Sequence, residues 1–439
     1  MNPTARVVIE SIDIEGKGIA RIDGKTIFIR DVLANEEVDI EIYKRKSNFD
    51  LGRLINIITP SVDRIKPECP HFGVCGGCSM QHLEFNAQIA AKEKVLIDNL
   101  KHIGKVAPDN ILEPLKGIPW NYRHRARLSA RYVTKKGGAL VGFREKGTSY
   151  VADMNECRIL PKHISDLIPH LRSLLGNLLI KEKIPQIEVA VGNNVTVLVF
   201  RIMEPLDPND QEKVKQFVDT YTTPDHPLQT WLQDKGPDSC KPFYPLDAPS
   251  LSYKLDRFNI DMPFYPTEFT QVNPEINQHM VNQAITLLGL QESDTVYDFF
   301  CGIGNFTLPI ATIAKKVIGF EGSPQLVKRA TDNAKHNNLT NAEYTAVNLF
   351  KVDNEWLCEL GLADKWLIDP SRDGAAELIA SISANIAPQK IVYVSCNPAT
   401  LARDASILVN THSYNLIDVG VMNMFPHTSH IESIAVFAK

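Results

Sequence analysis

VYDFFCGIGNFTLPIA, residues 296–311, is an apolar strand that runs through Cys301-Gly302-Ile303-Gly304 straight into a helix. Two glycines at that junction permit a tight turn and close approach of a ligand to the backbone at the carboxyl edge of a sheet. A dinucleotide fingerprint places a third glycine three residues on, but position 307 is Thr, which weakens the case for a pyrophosphate. The strand of the next apolar run, KVIGFE, ends in Glu321, where a carboxylate can accept hydrogen bonds from ribose hydroxyls. By itself a strand-GxG-helix junction is also an ordinary structural turn. Asp298, Glu321, Asn348 and Asp369 each fall at or near a predicted strand end, and together they point to a nucleoside ligand, with S-adenosylmethionine the leading candidate.

Outward from this junction, TVYDFF, KVIGFE, AEYTAVN, KWLIDP and KIVYVSC alternate with helical segments such as SPQLVKRATDNAKHN and PATLARDASILV. Buried strands separated by helices predict a doubly wound α/β sheet over 266–439. The closing strands YNLIDVGVM and HIESIAVFA have no helix between them, so they predict an antiparallel addition at the sheet edge. At the other end of the chain, Arg6 to Thr59 reads as five short strands with Gly and Asn/Asp turns, which suggests a small OB-like β-barrel over 1–59. Its nine Lys/Arg against ten Asp/Glu leave a nucleic-acid grip and a passive appendage equally open, with Lys44-Arg45-Lys46 its one basic knot. Residues 60–265 are less regular and read as a central α+β domain. This opens with the loop CPHFGVCGGC and a helix from Glu84 to Leu100, and it closes in a Pro-rich, acidic linker, Pro205 to Pro249.

The 439 residues are 44% apolar and 23% charged, a globular composition that excludes disordered, collagen-like and coiled-coil chains. MNPTARVVIE lacks the layout of a secretory signal, and there is no run of about 18 apolar residues, so a cytoplasmic protein with no membrane contact is expected. Eight cysteines are too few for a secreted disulfide scaffold, and their clustering suggests metal binding or catalysis. Cys69-x5-Cys75-x2-Cys78 plus one distant cysteine is unlike the two paired ligand sets of structural zinc. It is nearer to ferredoxin-like spacing, though zinc stays open on spacing alone. A net charge of −5 announces no nucleic-acid partner, yet 116–146 carries nine Lys/Arg against one Glu. Within it Arg123, Arg125, Arg127 and Arg131 share one face if the segment is a strand, interleaved with Trp120, Tyr122, Tyr132 and Phe143. Guanidiniums for phosphates beside aromatic faces for splayed bases suit loop or single-stranded RNA, while a solvated charged strand is the plainer alternative.

Cys396 ends the strand KIVYVSC and precedes a helix opened by Pro398, a place where a helix N-terminus favours thiolate; a buried core cysteine is the alternative. IDPSRD, 368–373, lacks the aromatic that amine-directed methylases carry two residues after Pro, which disfavours N-methylation. Together DFFCGIGNFTLPIA, IDPSRDGA, VSCNPATLARD, HIESIAVF and FTQVNPEIN (269–277) resemble the uracil-C5 RNA methyltransferase family. Residues 6–59 resemble a TRAM domain, and the likeness covers nearly the whole chain, most of all the TRAM-bearing members that act on 23S ribosomal RNA. The resemblance implies a multidomain chain: TRAM barrel, iron–sulfur domain and Rossmann-like methyltransferase domain. It implies Cys396 as nucleophile and Glu432 as general base. Gln271, Phe300, Asn305, Glu321, Asn348 and Asp369 match the family's cofactor contacts, and Cys69, Cys75, Cys78 and Cys157 its 4Fe–4S ligands. The expected partner is 23S ribosomal RNA, met by a monomer needing no protein partner. A different rRNA or tRNA uridine, a non-catalytic RNA-binding assembly protein, and an iron–sulfur nicotinamide oxidoreductase are the alternatives. The last is opposed by Thr307.

Overall fold

The computed structural model describes residues 3–13 and 15–439. The N-terminal strands are β1 (Thr4–Val8), β2 (Ser11–Ile12), β3 (Gly18–Ile22), β4 (Lys25–Ile29), β5 (Glu37–Arg45) and β6 (Phe49–Thr59). They form one sheet in the order β1-β5-β6-β4-β3-β2, one strand more than the turn signals indicate. The extra one arises because VVIESIDIEG breaks at Ile9-Glu10 into β1 and β2. Val7, Ile9, Ala20, Ile27, Ile29, Val38 and Ile40 form a core of their own, the inward half of the period-two alternation.

After the cysteine-rich loop comes α1 (Phe85–Asn99), continued by a widened turn at 100–104, then β7 (Asn110–Ile111). A second sheet follows, built from β8 (Arg125–Val133), β9 (Gly138–Gly142), α2 (Lys162–Asn177), β10 (Gln186–Val191), β11 (Thr196–Arg201), α3 (Pro208–Tyr221), β12 (Leu228–Gln233) and β13 (Lys241–Tyr244). Its strand order is β13-β12-β11-β10-β8-β9, with α2 and α3 contributing Ile168, Leu171, Val214 and Phe217 to a core shared with Leu128, Ile187 and Phe200. The expected linker from Pro205 to Pro249 is thus mostly folded. Its Asp and Pro are helix-start chemistry: Asp207 caps α3 by accepting the Asp210 N–H, and Pro208 takes the first turn. Asp210, fully buried, accepts the Leu179 N–H.

The hairpin β14 (Ser252–Leu255) and β15 (Ile260–Pro263) leads to α4 (Pro274–Leu288) and then to β16 (Thr295–Phe299), α5 (Thr307–Ala311), β17 (Lys316–Glu321), α6 (Pro324–His336) and β18 (Ala342–Ala346). The chain then returns through α7 (Asn354–Leu360), β19 (Lys365–Ile368), α8 (Ala376–Ala380), β20 (Lys390–Ser395), α9 (Pro398–Asn410), β21 (Asn415–Met422) and β22 (Glu432–Ala438). The sheet order is β18-β17-β16-β19-β20-β22-β21-β7. Strands β16 to β20 pair in parallel and β22 joins antiparallel, as the helix-less closing pair predicts. The true edge is β7, which comes from well upstream. Alternate residues of β20 feed the two faces: Ile391 and Tyr393 pack with α1 and α9, Val392 and Val394 with α4. Helix α1 therefore lies on the C-terminal sheet, a placement its sequence left open. Strand order reverses between β16 and β19, and in such sheets the crevice beyond that reversal is where ligands bind.

Candidate active site

The crevice is built by the loop after β16. Phe300, Gly302 and Gly304 have φ of +65°, +56° and +97°, a run that only glycine-rich sequence tolerates. A Cβ built on Gly302 would meet nothing within 4 Å, so the backbone there faces open space. The Glu321 carboxylate is oriented by two backbone amides, Gly302 N–H at 3.2 Å and Ser323 N–H at 2.9 Å. Phe300 pairs with Phe350, ring centroids 5.6 Å apart, and the Asn348 side chain accepts the Phe350 N–H at 3.1 Å. Asp369, just past β19, donates its N–H to the Phe299 carbonyl. Asn305 exchanges hydrogen bonds with Asn277 at 2.9 and 3.0 Å and accepts one from the Tyr253 hydroxyl at 2.9 Å. Gln271 lines one small cavity with Tyr253 and Asn277. The structure thus places Glu321 beside the open glycine turn, Phe300 and Asn348 around Phe350, Asp369 next to the end of β16, and Asn305 in one hydrogen-bonded group with Asn277 and Tyr253, which line the Gln271 cavity. An acid, an aromatic pair and an open turn are a donor set that fits an adenosyl ligand.

Thr307, which breaks the dinucleotide pattern, has a role of its own. Its hydroxyl donates to the carboxyl of Asp298, a fully buried residue whose pKa burial pushes up to about 8. Tyr253 and Asn277 were not expected here. Asn277 stands in FTQVNPEIN, where Asn273 caps α4, and the helix turns it inward.

Two strands bring the reactive pair together. β20 and β22 run antiparallel with Ser395 opposite Ser433, so the next step along each brings Cys396 and Glu432 side by side. Glu432 is 2% exposed and Cys396 half-buried. Burial, then the facing Glu432 and Asp369, push the Cys396 thiol up to about 11, against the opposing pull of Arg372. This corrects the thiolate expectation. Cys396 precedes Asn397, the cap of α9, and in the resting chain two carboxylates and a low dielectric outweigh the helix terminus. Glu432 is itself held well above the ordinary carboxylate range by burial and by Asp369. Burial also pushes Asp369 up to about 7. Arg372 completes the group. Its carbonyl accepts from Asn397 Nδ2 at 3.0 Å, and its guanidinium approaches His430 Nδ1 at 3.4 Å. Neither residue was singled out from sequence, although Arg372 lies in the quoted IDPSRD.

Cys69, Cys75, Cys78 and Cys157 line a second cavity with Phe72, Phe143 and Met154, and all four are free thiols. Burial raises Cys75, and pushes Cys78 and Cys157 up to about 12. No group of three or more His, Cys, Asp or Glu side chains among the described residues is arranged to hold a single metal ion.

The arginine strip divides. Arg125, Arg127 and Arg131 do alternate along one face of β8, but Arg123 precedes the strand, its N–H bonded to the Ile159 carbonyl. Arg125 donates to the Pro266 carbonyl at 2.6 Å, and burial pushes it down to about 10. Arg127 pairs with Glu188 at 3.1 Å, and Arg131 is exposed. Of the aromatics, Tyr122 is buried and donates to the Pro426 carbonyl, and Trp120 stacks on His427.

Known proteins share both ends of this chain. Residues 3–55 match the TRAM domain family, and 254–439 match the tRNA (Uracil-5-)-methyltransferase family. A 23S rRNA (uracil(1939)-C(5))-methyltransferase of Chromobacterium violaceum is 53% identical over 439 residues, all of this chain and 85% of that protein. Its counterpart of the same name in Nitrosospira multiformis is 52% identical, covering 99% of each. The chain belongs to the RNA uracil-C5-methyltransferase family. A crystal structure of Pyrococcus abyssi tRNA (uracil-54, C5)-methyltransferase in complex with S-adenosyl-L-homocysteine shares the methyltransferase fold at a TM-score of 0.73, with 23% identity, covering 99% of this chain and all of that one. Cys396, Glu432 and the six crevice residues all fall within the methyltransferase family match, while the cysteine cavity falls outside both matches. No helix among the described residues is long and apolar enough to cross a membrane.

Proposed function

We propose that this chain methylates C5 of a uridine in 23S ribosomal RNA through a covalent adduct to Cys396. The observation that carries the reading is the apposition of Cys396 and Glu432 at the rim of the adenosyl-fitting crevice. C5 of uracil is a weak nucleophile, and a thiolate added at C6 drives the C5–C6 π electrons onto C5 and O4. S-adenosylmethionine, held by Gln271, Phe300, Asn305, Glu321, Asn348 and Asp369, supplies the methyl group and a sulfonium cation. Positive charge in the crevice lowers the thiol's raised pKa, so Cys396 loses its proton most readily in the loaded site. C5 of the adduct takes the methyl group, and the C–S electron pair departs with S-adenosylhomocysteine. Glu432 then removes the C5 proton; those electrons restore C5=C6 and expel the thiolate. The carboxylate must be ionised for that step, and Arg372 is the cation that favours it. Reaching C6 requires extrusion of the base from its stack.

The four cysteines fit a 4Fe–4S cluster. They line one cavity without a carboxylate among its liners, and their thiolates would hold the cluster there. With four protein ligands such a cluster would be structural, tying the loop before α1 to the segment before α2. Phosphates are met by the 116–146 strip, chiefly Arg131 and Arg127 of the outer face of β8, with Arg123 and Arg125 shaping its base. We place the enzyme in the cytoplasm as a monomer, divided as 1–59, 60–265 and 266–439.

Glu432→Gln tests the reading. Addition and methyl transfer proceed without the base while elimination stalls, so this variant accumulates a denaturant-resistant protein–RNA adduct carrying a labelled methyl group. Free turnover by Glu432→Gln would place the base elsewhere.

A further inference from the structure

Glu432 is reached through residues 423–431, and that segment is held from below by α1. Lys92 Nζ donates to Asn423 Oδ1 at 2.8 Å and to the Phe425 carbonyl at 2.9 Å. One turn earlier Gln88 Oε1 accepts the His427 N–H at 2.8 Å, and Gln88 Nε2 lies 3.3 Å from His427 Nδ1. His427 itself is a non-glycine residue at φ +64°, a conformation that persists only when its surroundings impose it. Trp120 stacks on its ring at 3.8 Å, and the N–H groups of Ser79 and Met80, next to Cys78, donate to its carbonyl. Gln88 is 0% exposed and Lys92 3%, on the face of α1 where a helix ordinarily puts leucine.

A buried ammonium is costly, and the acceptors that Lys92 Nζ meets, an amide oxygen and a carbonyl, are both neutral. Burial alone pushes it down to about 7. An apolar side chain would pack α1 on the sheet more cheaply, so packing does not account for Lys92. Its two acceptors do: both belong to the strap between β21 and the base.

We propose that Lys92 and Gln88 are positioning residues for the base, setting the path of 423–431 so that the Glu432 carboxylate stands opposite Cys396. The inference rests on the reading of Glu432 as the base. The two residues touch neither substrate nor cofactor, so their loss leaves addition and methyl transfer in place and slows only proton removal.

The test is single-turnover methylation of a 23S rRNA fragment with methyl-labelled S-adenosylmethionine, scoring total label in RNA and the share held as denaturant-resistant adduct. Lys92→Met and Gln88→Leu should methylate at close to the wild-type rate but release product about 10- to 100-fold more slowly, the scale of a misplacement near 1 Å. Asn423→Leu removes the other half of the Lys92 contact and should give the same signature if Lys92→Met does not fold. Where both fold, the double variant should be no slower than either single one. Release at the wild-type rate by these variants, with adduct persisting in Glu432→Gln, overturns the positioning role. So does an equal loss of addition and release. Absence of adduct in Glu432→Gln overturns the base reading instead.

Discussion

The resting thiol of Cys396 should be far less reactive than a surface cysteine, and the size of the effect follows from its surroundings. An ordinary cysteine with pKa about 8.5 is roughly one-tenth thiolate at pH 7.5. Pushed up to about 11 by burial, Glu432 and Asp369, Cys396 holds about 3 in 10,000 of its molecules as thiolate at that pH, roughly 300-fold less. The assay is pulsed alkylation of the free enzyme with peptide mass spectrometry, from pH 7 to 10, using the surface thiol Cys358 as internal reference. Labelling of Cys396 should climb about tenfold per pH unit and show no plateau by pH 10. Glu432→Gln removes a neighbour that raises the thiol, so labelling at pH 8 should increase; Arg372→Ala removes the one that lowers it, so labelling should fall. The linkage has a matching sign. Because the folded state favours the neutral thiol, that contribution to stability is complete below about pH 8.5 and is lost as pH rises through about 11. A plateau at or below pH 9, or indifference to Glu432→Gln, would refute the electrostatic account of the pair.

Four further outcomes are expected. Anaerobically purified protein should carry about four irons per chain, and Cys75→Ser should lose iron and soluble yield together; stoichiometric zinc in place of iron would contradict the cluster. Arg131→Ala should reduce the log–log salt slope of RNA binding by about 0.7–0.9. Arg125→Ala should instead lower thermal stability, because its guanidinium is spent on the Pro266 carbonyl. Gly104→Ala should destabilise by about 2 kcal/mol in chemical denaturation, since its Cβ would lie 2.7 Å from the Ala402 carbonyl where α1 meets α9.

What was legible in the sequence is what is local. The turn after β16, the acids at strand ends and the helix-less closing pair all follow from glycine, charge and period within a few residues. The Cys396–Glu432 apposition depends on the antiparallel register of strands 36 residues apart, which spacing does not encode, and it entered only through family resemblance. The seat of α1 was hidden for a physical reason: its buried face carries Gln88 and Lys92, so the apolar stripe that betrays a packed helix is interrupted. Parity placed four arginines of the strip on one face, of which Arg123 lies before the strand, and could not say that Arg127 meets Glu188 and Arg125 a carbonyl. Asp207-Pro208, taken as linker, is the start of α3. Thr307 counted only as a missing glycine, because a hydroxyl's partner across a turn is invisible until the turn is closed.

The central claim is that Cys396 carries a uracil-C5 methylation of 23S ribosomal RNA. It is tested most directly by incubating unmodified 23S rRNA with methyl-labelled S-adenosylmethionine and the purified enzyme, then identifying the labelled nucleoside after digestion. The account predicts 5-methyluridine as the labelled product with the wild-type chain, and neither product nor adduct with Cys396→Ala. Label in any other nucleoside, or 5-methyluridine formed by Cys396→Ala, would contradict it.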